Sequence, residues 1–260
     1  METAVTFIIY TVALLAVSLL GAYMPYIKKL TDDQVHLLIA LSAGIFLGIL
    51  FFLLLPEAIH ECEEGGIEEK YMMLTVLVAF LAILLVDVLI KHFHMASCPC
   101  ECHQEQHRHR MGSFSAYIGL AIHAFIDGLV LATTLIADSD IAWIALLGMC
   151  VHKFVELFSL SSTFLLSDED KRTVMKYMVS FALITPIGAI ISFLILNGAS
   201  VDGMIGIPMA VSAGTFMYVA LCDMIPEAFH RENQQLKSYL LLMVGIAIAA
   251  AVFLLFGHSH

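Results

Sequence analysis

The 260-residue chain is short of charge. Asp, Glu, Lys and Arg make up 13% of it, against about 25% in a soluble domain, and that shortage excludes an ordinary water-facing surface. Cations are scarcest: 12 Lys and Arg stand against 23 Asp and Glu, for a formal net charge of −11. Without a basic surface to meet phosphates, no nucleic-acid partner is expected. The opening METAV lacks the basic n-region of a signal peptide, so the first apolar run reads as a retained span. Long polar linkers are also missing, apart from one stretch near the middle, so a single domain without a soluble appendage is expected.

What is abundant is hydrocarbon. The chain is 60% hydrophobic with a mean hydropathy of +0.92, the composition of a protein whose solvent is a lipid bilayer. Crossing the hydrocarbon core takes about 20 apolar residues. Such runs lie at 4–23, 36–56, 71–91, 114–136, 141–166, 172–197, 205–228 and 237–257. The expected fold is therefore all-α, a polytopic membrane protein of eight transmembrane helices. Lys and Arg collect in the loops that follow odd-numbered spans: Lys28, Lys29; Lys91, Arg108, Arg110; Lys171, Arg172, Lys176; Arg231, Lys237. The other side has only Lys70, and Lys153 lies inside a helix. By the positive-inside rule, both termini are extracytosolic, in the plasma membrane or, as the alternative, an organelle membrane.

One stretch occurs twice. SAGIFLGILFFLLLPEAIHE starts at Ser42 and SAGTFMYVALCDMIPEAFHR at Ser212. Without a gap they share Ser, Ala, Gly, Phe, then Pro, Glu, Ala and His, residues that apolar helices do not all accumulate freely. The copies fall in spans two and seven, which cross in opposite directions. That reads as an inverted repeat of spans 1–3 and 6–8, an architecture that places substrate near the midplane and moves one bundle against another. Spans four and five are left in the middle.

Those two spans carry ionisable groups halfway along. Span four holds His123 and Asp127, and span five holds His152 and Glu156. Each pair is spaced i, i+4, which places both side chains on one helix face. Charge at that depth is costly and faces the bundle interior or a functional path. A lone His in a helix is more often a packed residue than a ligand, but two such pairs at matching depth suit one divalent first-row cation, with the carboxylates offsetting its charge. The same residues could instead pass protons, which leaves a proton-coupled carrier or channel for another solute as the alternative.

At these residues the chain resembles the ZIP (Zrt-, Irt-like) family of metal transporters. HAFIDGL at His123 looks like the family's fourth-span His-Asn-Phe-x-Asp-Gly-Leu, and HKFVEL at His152 matches the fifth-span His-Glu-x-Pro-His-Glu region more loosely. TPIGA at Thr185 to Ala189 and the PEA endings of spans two and seven are also similar. The resemblance implies a 3+2+3 inverted-repeat arrangement, a homodimer, and uptake of a divalent transition metal toward the cytosol by alternating access. Zn2+ is the first expectation, with Fe2+, Mn2+ or Cd2+ as further cargo and no cofactor. By position, His123, Asp127, His152 and Glu156 would be the ligands. Where many members have an Asn and a carboxylate for a second metal, this chain has Ala124 and Lys153. An ammonium 4 Å from a unit positive charge is repelled by about 4 kcal/mol at an effective dielectric of 20, so Lys153 either stands in for the second cation by pairing with Glu156 or pairs elsewhere. Val155 replaces the motif's Pro, which puts the family's kink in doubt.

The ends of the repeat have a use in that topology. Glu57 and His60 mark an entrance, followed by Glu61, Cys62, Glu63 and Glu64; Asp223, Glu227 and His230 mark an exit. Carboxylates and imidazoles at a mouth concentrate dications, although acidic loop residues are often only solvated. The cytosolic loop 92–112 contains Cys98, Cys100, Cys102, His103, His107 and His109. Its spacing is not that of a zinc finger, and a reducing cytosol excludes a disulfide framework. A loose metal-binding tract, dispensable for translocation, is expected. No enzyme is needed: His-x-x-x-Glu is not His-Glu-x-x-His, and no Ser or Cys in the sequence pattern is paired with these histidines.

Overall fold

The computed structural model describes residues 2–27, 30–95, 104–137, 142–166, 169–196 and 205–256. Among them every regular element is helical. Helix α1 spans Glu2–Tyr23, and α2 spans Asp32–Ile49, entered through a capping box in which the Thr31 hydroxyl accepts from the Gln34 N–H while the Gln34 amide oxygen accepts from the Thr31 N–H. A π-helical turn, Leu50–Leu54, joins α2 to α3, Leu55–Glu64. Then come α4 (Glu69–Met95), α5 (Gln104–Ala137), α6 (Ala142–Phe164), α7 (Lys171–Ala182), α8 (Ile184–Leu196) and α9 (Gly206–Tyr218). A second π-helical turn, Val219–Met224, leads into α10 (Ile225–Ala228), and α11 covers Gln235–Phe256.

The two copies of the repeated stretch share this backbone irregularity. Pro56 and Pro226 have no N–H to give to the carbonyl four residues back, and each ring would crowd that carbonyl. The residue before each proline donates five back instead, Leu55 to Leu50 and Ile225 to Ala220. Such widened turns sit preferentially at functional sites. The second span, expected over 36–56, continues as helix to Glu64, because proline is tolerated in a first turn. In the sixth expected span, Pro186 follows the break at Leu183 that separates α7 from α8. Helix α6 runs through Val155 as unbroken α-helix. The tract expected as loop 92–112 is partly helical, since α4 runs to Met95 and α5 starts at Gln104.

Seven helical segments among the described residues are long and apolar enough to cross a membrane: Val5–Tyr26, Asp32–Glu64, Glu69–His92, Ala116–Thr133, Lys171–Ile195, Gly206–Ala228 and Glu232–Leu254. Helix α6, with 23 residues, is not among them; it carries His152, Lys153 and Glu156. On α4, Leu74, Leu77, Leu81 and Leu85 face outward, and on α11 Leu240, Val244 and Ile248 do the same. Continuous apolar faces of this kind need hydrocarbon as solvent.

Packing follows paired helices. α2 lies along α11, α4 along α9, α1 along α6, and α5 along α8. Lipid gives helices no hydrophobic reason to associate, so close approach depends on small residues. Gly44 and Gly214, equivalent positions of the two copies, show this: a Cβ on Gly44 would collide with the Leu242 carbonyl of α11, and one on Gly214 with the Val76 carbonyl of α4. Between α2 and α9, the rings of Phe46 and Phe216 stack at 4.4 Å and 7°.

Candidate metal centre

Helices α5 and α6 bring four potential ligands together. His123 and Asp127 lie one turn apart on α5, His152 and Glu156 one turn apart on α6, and one ligand atom from each falls within 4.8 Å of all the others. All four are buried, His123 and Glu156 at 0% exposure. The two Nε2 atoms approach each other to 2.9 Å, and Asp127 Oδ2 lies 3.2 Å from His123 Nε2 and 3.4 Å from His152 Nε2. Glu156 Oε2 is 4.0 Å from His152 Nε2. Its second oxygen, Oε1, is buried with no hydrogen-bond partner among the described residues.

Lys153 enters the same cluster. Its Nζ is 2.7 Å from Asp127 Oδ2 and donates a short hydrogen bond to Glu156 Oε2. Of the two readings offered by sequence, pairing with Glu156 is realised, and Asp127 is added to it. The ammonium bridges the carboxylates of both helices, and a buried lysine needs such partners. Ala124 is fully buried, and its carbonyl accepts from the Thr185 hydroxyl at 2.9 Å, which ties α5 to α8.

Three residues escaped the sequence reading, two beside the centre and one at a mouth. Ser212 on α9 makes a short hydrogen bond with His123 Nδ1. The Phe216 ring lies 4.6 Å from that of His123 and 5.8 Å from that of His152. Ser212 and Phe216 belong to the repeated stretch, which flagged them as repeated but not as part of the centre. The third is His36 on α2, buried at the mouth assigned as exit. Its Nδ1 donates to the Asp32 carbonyl at 2.7 Å, and its Nε2 lies 3.1 Å from Glu227 Oε1.

The mouth residues are placed apart from the centre in two groups. At one end, Glu57 is half-buried on α3, and His60 is exposed, 3.8 Å from Glu64. At the other, Tyr218 donates to Asp223 at 3.5 Å, Asp87 pairs with Lys91 at 2.6 Å, and His230 stacks on His36 at a ring separation of 6.1 Å. Cys98, Cys100, Cys102 and His103 lie outside the described residues, while His107 and His109 fall on the first turns of α5 without described side chains.

A bundle of apolar helices around a buried His/carboxylate cluster defines a class: an integral membrane protein with a polar centre of the kind that handles cations. The family model described as ZIP Zinc transporter matches residues 5–110 and 96–252, and the chain belongs to that family. It resembles Zinc transporter ZIP9-B of Xenopus laevis, 23% identical over 261 residues and covering 84% of each chain. It also resembles Zinc transporter ZupT of Oceanobacillus iheyensis, 24% identical over 252 residues with 90% and 92% covered, and Zinc transporter ZIP1 of Takifugu rubripes, 28% identical over 144 residues with 54% and 46% covered. The protein is thus a metal transporter and not an enzyme.

Proposed function

We propose that the protein carries a divalent transition metal, Zn2+ before Fe2+, Mn2+ or Cd2+, from outside the cell or an organelle lumen into the cytosol. The cargo is held as a single ion by His123, Asp127, His152 and Glu156. The observation that carries this reading is the spacing of the donors. Two ligands of a tetrahedral zinc at bonds of about 2.0–2.1 Å stand about 3.3 Å apart. The three contacts among His123 Nε2, His152 Nε2 and Asp127 Oδ2 are 2.9, 3.2 and 3.4 Å. Glu156 Oε1 is buried and unpartnered beside them. Lys153 supports one ion rather than two, since its ammonium stands where a second cation would have to share Asp127 and Glu156.

In this reading α6 supplies the eighth crossing, at about 34 Å for 23 residues. The two halves alternate access around α5 and α6 in a 3+2+3 arrangement. The matched π-helical turns and the reciprocal pairing of α2 with α11 and α4 with α9 support it. Both termini are then extracytosolic, in the plasma membrane or, as the alternative, an organelle membrane, and the family resemblance implies a homodimer. One observation favours proton relay as a second reading: Ser212, His123 and His152 form a continuous hydrogen-bonded chain.

Proteoliposome uptake separates the two. Metal transport should saturate with Zn2+, compete with Cd2+ and fail in His152→Ala. Unchanged metal uptake in that variant, or proton flux indifferent to metal, would overturn the reading.

A further inference from the structure

Of the buried polar atoms without a hydrogen-bond partner among the described residues, two match a pair that is bonded. Ser212, the first residue of the second copy, holds His123 Nδ1. Ser42, the first residue of the first copy, is 1% exposed, and its Oγ has no hydrogen-bond partner among the described residues. His152 Nδ1 is buried without a partner as well. Buried polar groups left this way are rare and call for a reason.

The placement of Ser42 supplies one. Ser42 stands one turn before Phe46, and Ser212 one turn before Phe216, so each hydroxyl shares a helix face with its ring. Those rings stack on each other, and Phe216 touches both imidazoles. The helices repeat the relation: α9 packs on α5, which carries His123, and α2 packs on α6, which carries His152. By that correspondence of helices, Ser42 is matched to His152 as Ser212 is to His123.

We propose that the two serines are alternating positioning residues: Ser212 orients His123 in the state described here, and Ser42 orients His152 in the oppositely facing state, one bond forming as the other breaks. This rests on the reading of the histidines as cargo ligands and of the copies as an inverted repeat. A partner on Nδ1 fixes the tautomer and ring plane that present Nε2 to a metal. A serine hydroxyl can give or accept that bond, so the exchange needs no net gain or loss of protons. Each state firmly orients one imidazole and leaves the other free to turn, which loosens the ion from one helix at a time.

The test places single cysteines, Glu57→Cys or Asp223→Cys, in a chain whose native cysteines are serine. A membrane-impermeant thiol reagent applied from each side then reports the balance of access. Ser212→Ala should shift the labelling ratio about fivefold one way and Ser42→Ala about fivefold the other, the change expected for one net hydrogen bond. The double variant should return to the parent ratio, and Ser→Thr at either position should stay near it. Shifts in the same direction, or none, overturn the proposal. Should an alanine variant not accumulate, ring-nitrogen NMR of histidine-labelled parent protein decides. The hydrogen-bonded Nδ1 should pass from His123 to His152 between samples that thiol labelling at Glu57→Cys and Asp223→Cys shows to face opposite sides, and an unchanged pattern overturns the idea. Zn2+ titration of His123→Ala and His152→Ala examines the underlying site separately. Parent affinity in both would sink the ligand reading itself, whereas lost affinity with serine variants that shift together would sink only the exchange.

Discussion

Among the described residues two clusters have the composition of a cation site, and one of the two is buried. His123, Asp127, His152 and Glu156 are enclosed between α5 and α6, whereas His60, Glu61 and Glu64 lie at the end of α3 with His60 and Glu64 exposed. In both, the ligand atoms lie within 4.8 Å of one another, so proximity does not distinguish them. Desolvation does. An exposed His–Glu pair is worth at most about 1 kcal/mol and is screened by salt. Buried carboxylates must find a compensating cation, and in the structure Lys153 meets both. A buried site can select and hold its cargo, while an exposed one can only raise its local concentration.

The largest effect expected from breaking this contrast is in the buried group. Glu156→Gln removes a charge from a dry cluster and strips Lys153 of one partner. Zn2+ affinity by calorimetry and Zn2+ uptake should each fall by about 100-fold or more, corresponding to about 3 kcal/mol.

Lys153 comes next. Lys153→Met should raise Zn2+ affinity by about tenfold by removing a repelled neighbour, and Lys153→Glu should change the stoichiometry from one ion to two. Anomalous scattering from metal-soaked crystals counts the peaks, and a single peak in Lys153→Glu would show that the lysine does not set the number.

In the exposed group, His60→Ala should lower initial uptake by about two- to threefold at low ionic strength and hardly at all in high salt, as screened attraction requires. The smallest effect belongs to a cap on the surface. The Thr173 hydroxyl and N–H hydrogen-bond the Asp170 carboxylate and hold its pKa below the usual value. That contribution is present above the ordinary carboxylate pKa and fades as pH falls through the lowered one. Protection of the Val174 amide from hydrogen exchange, measured relative to its intrinsic rate, should therefore fall at low pH, and Asp170→Ala should abolish that fall.

The pairs His123/Asp127 and His152/Glu156 were legible because helix geometry is local: i, i+4 fixes a shared face before anything packs. The widened turns at Pro56 and Pro226 were half legible. The prolines announced a disturbance, but whether the helix would stop, kink or reform depended on the carbonyls around it. The tract at Cys98, Cys100, Cys102 and His103 lies outside the described residues and stays an expectation.

By itself the sequence determined the solvent, the helical class and the two helix faces that carry the centre, because hydrophobic runs and the 3.6-residue period act within one segment. Only the tertiary structure decided that Lys153 bridges Asp127 to Glu156, that Ser212 holds His123 from 89 residues away, and that His36 meets Glu227 across two helices. These are contacts between segments. They depend on how closely backbones approach at residues such as Gly44 and Gly214 and on the need of each buried polar atom for a partner, and neither quantity is written in a single helix.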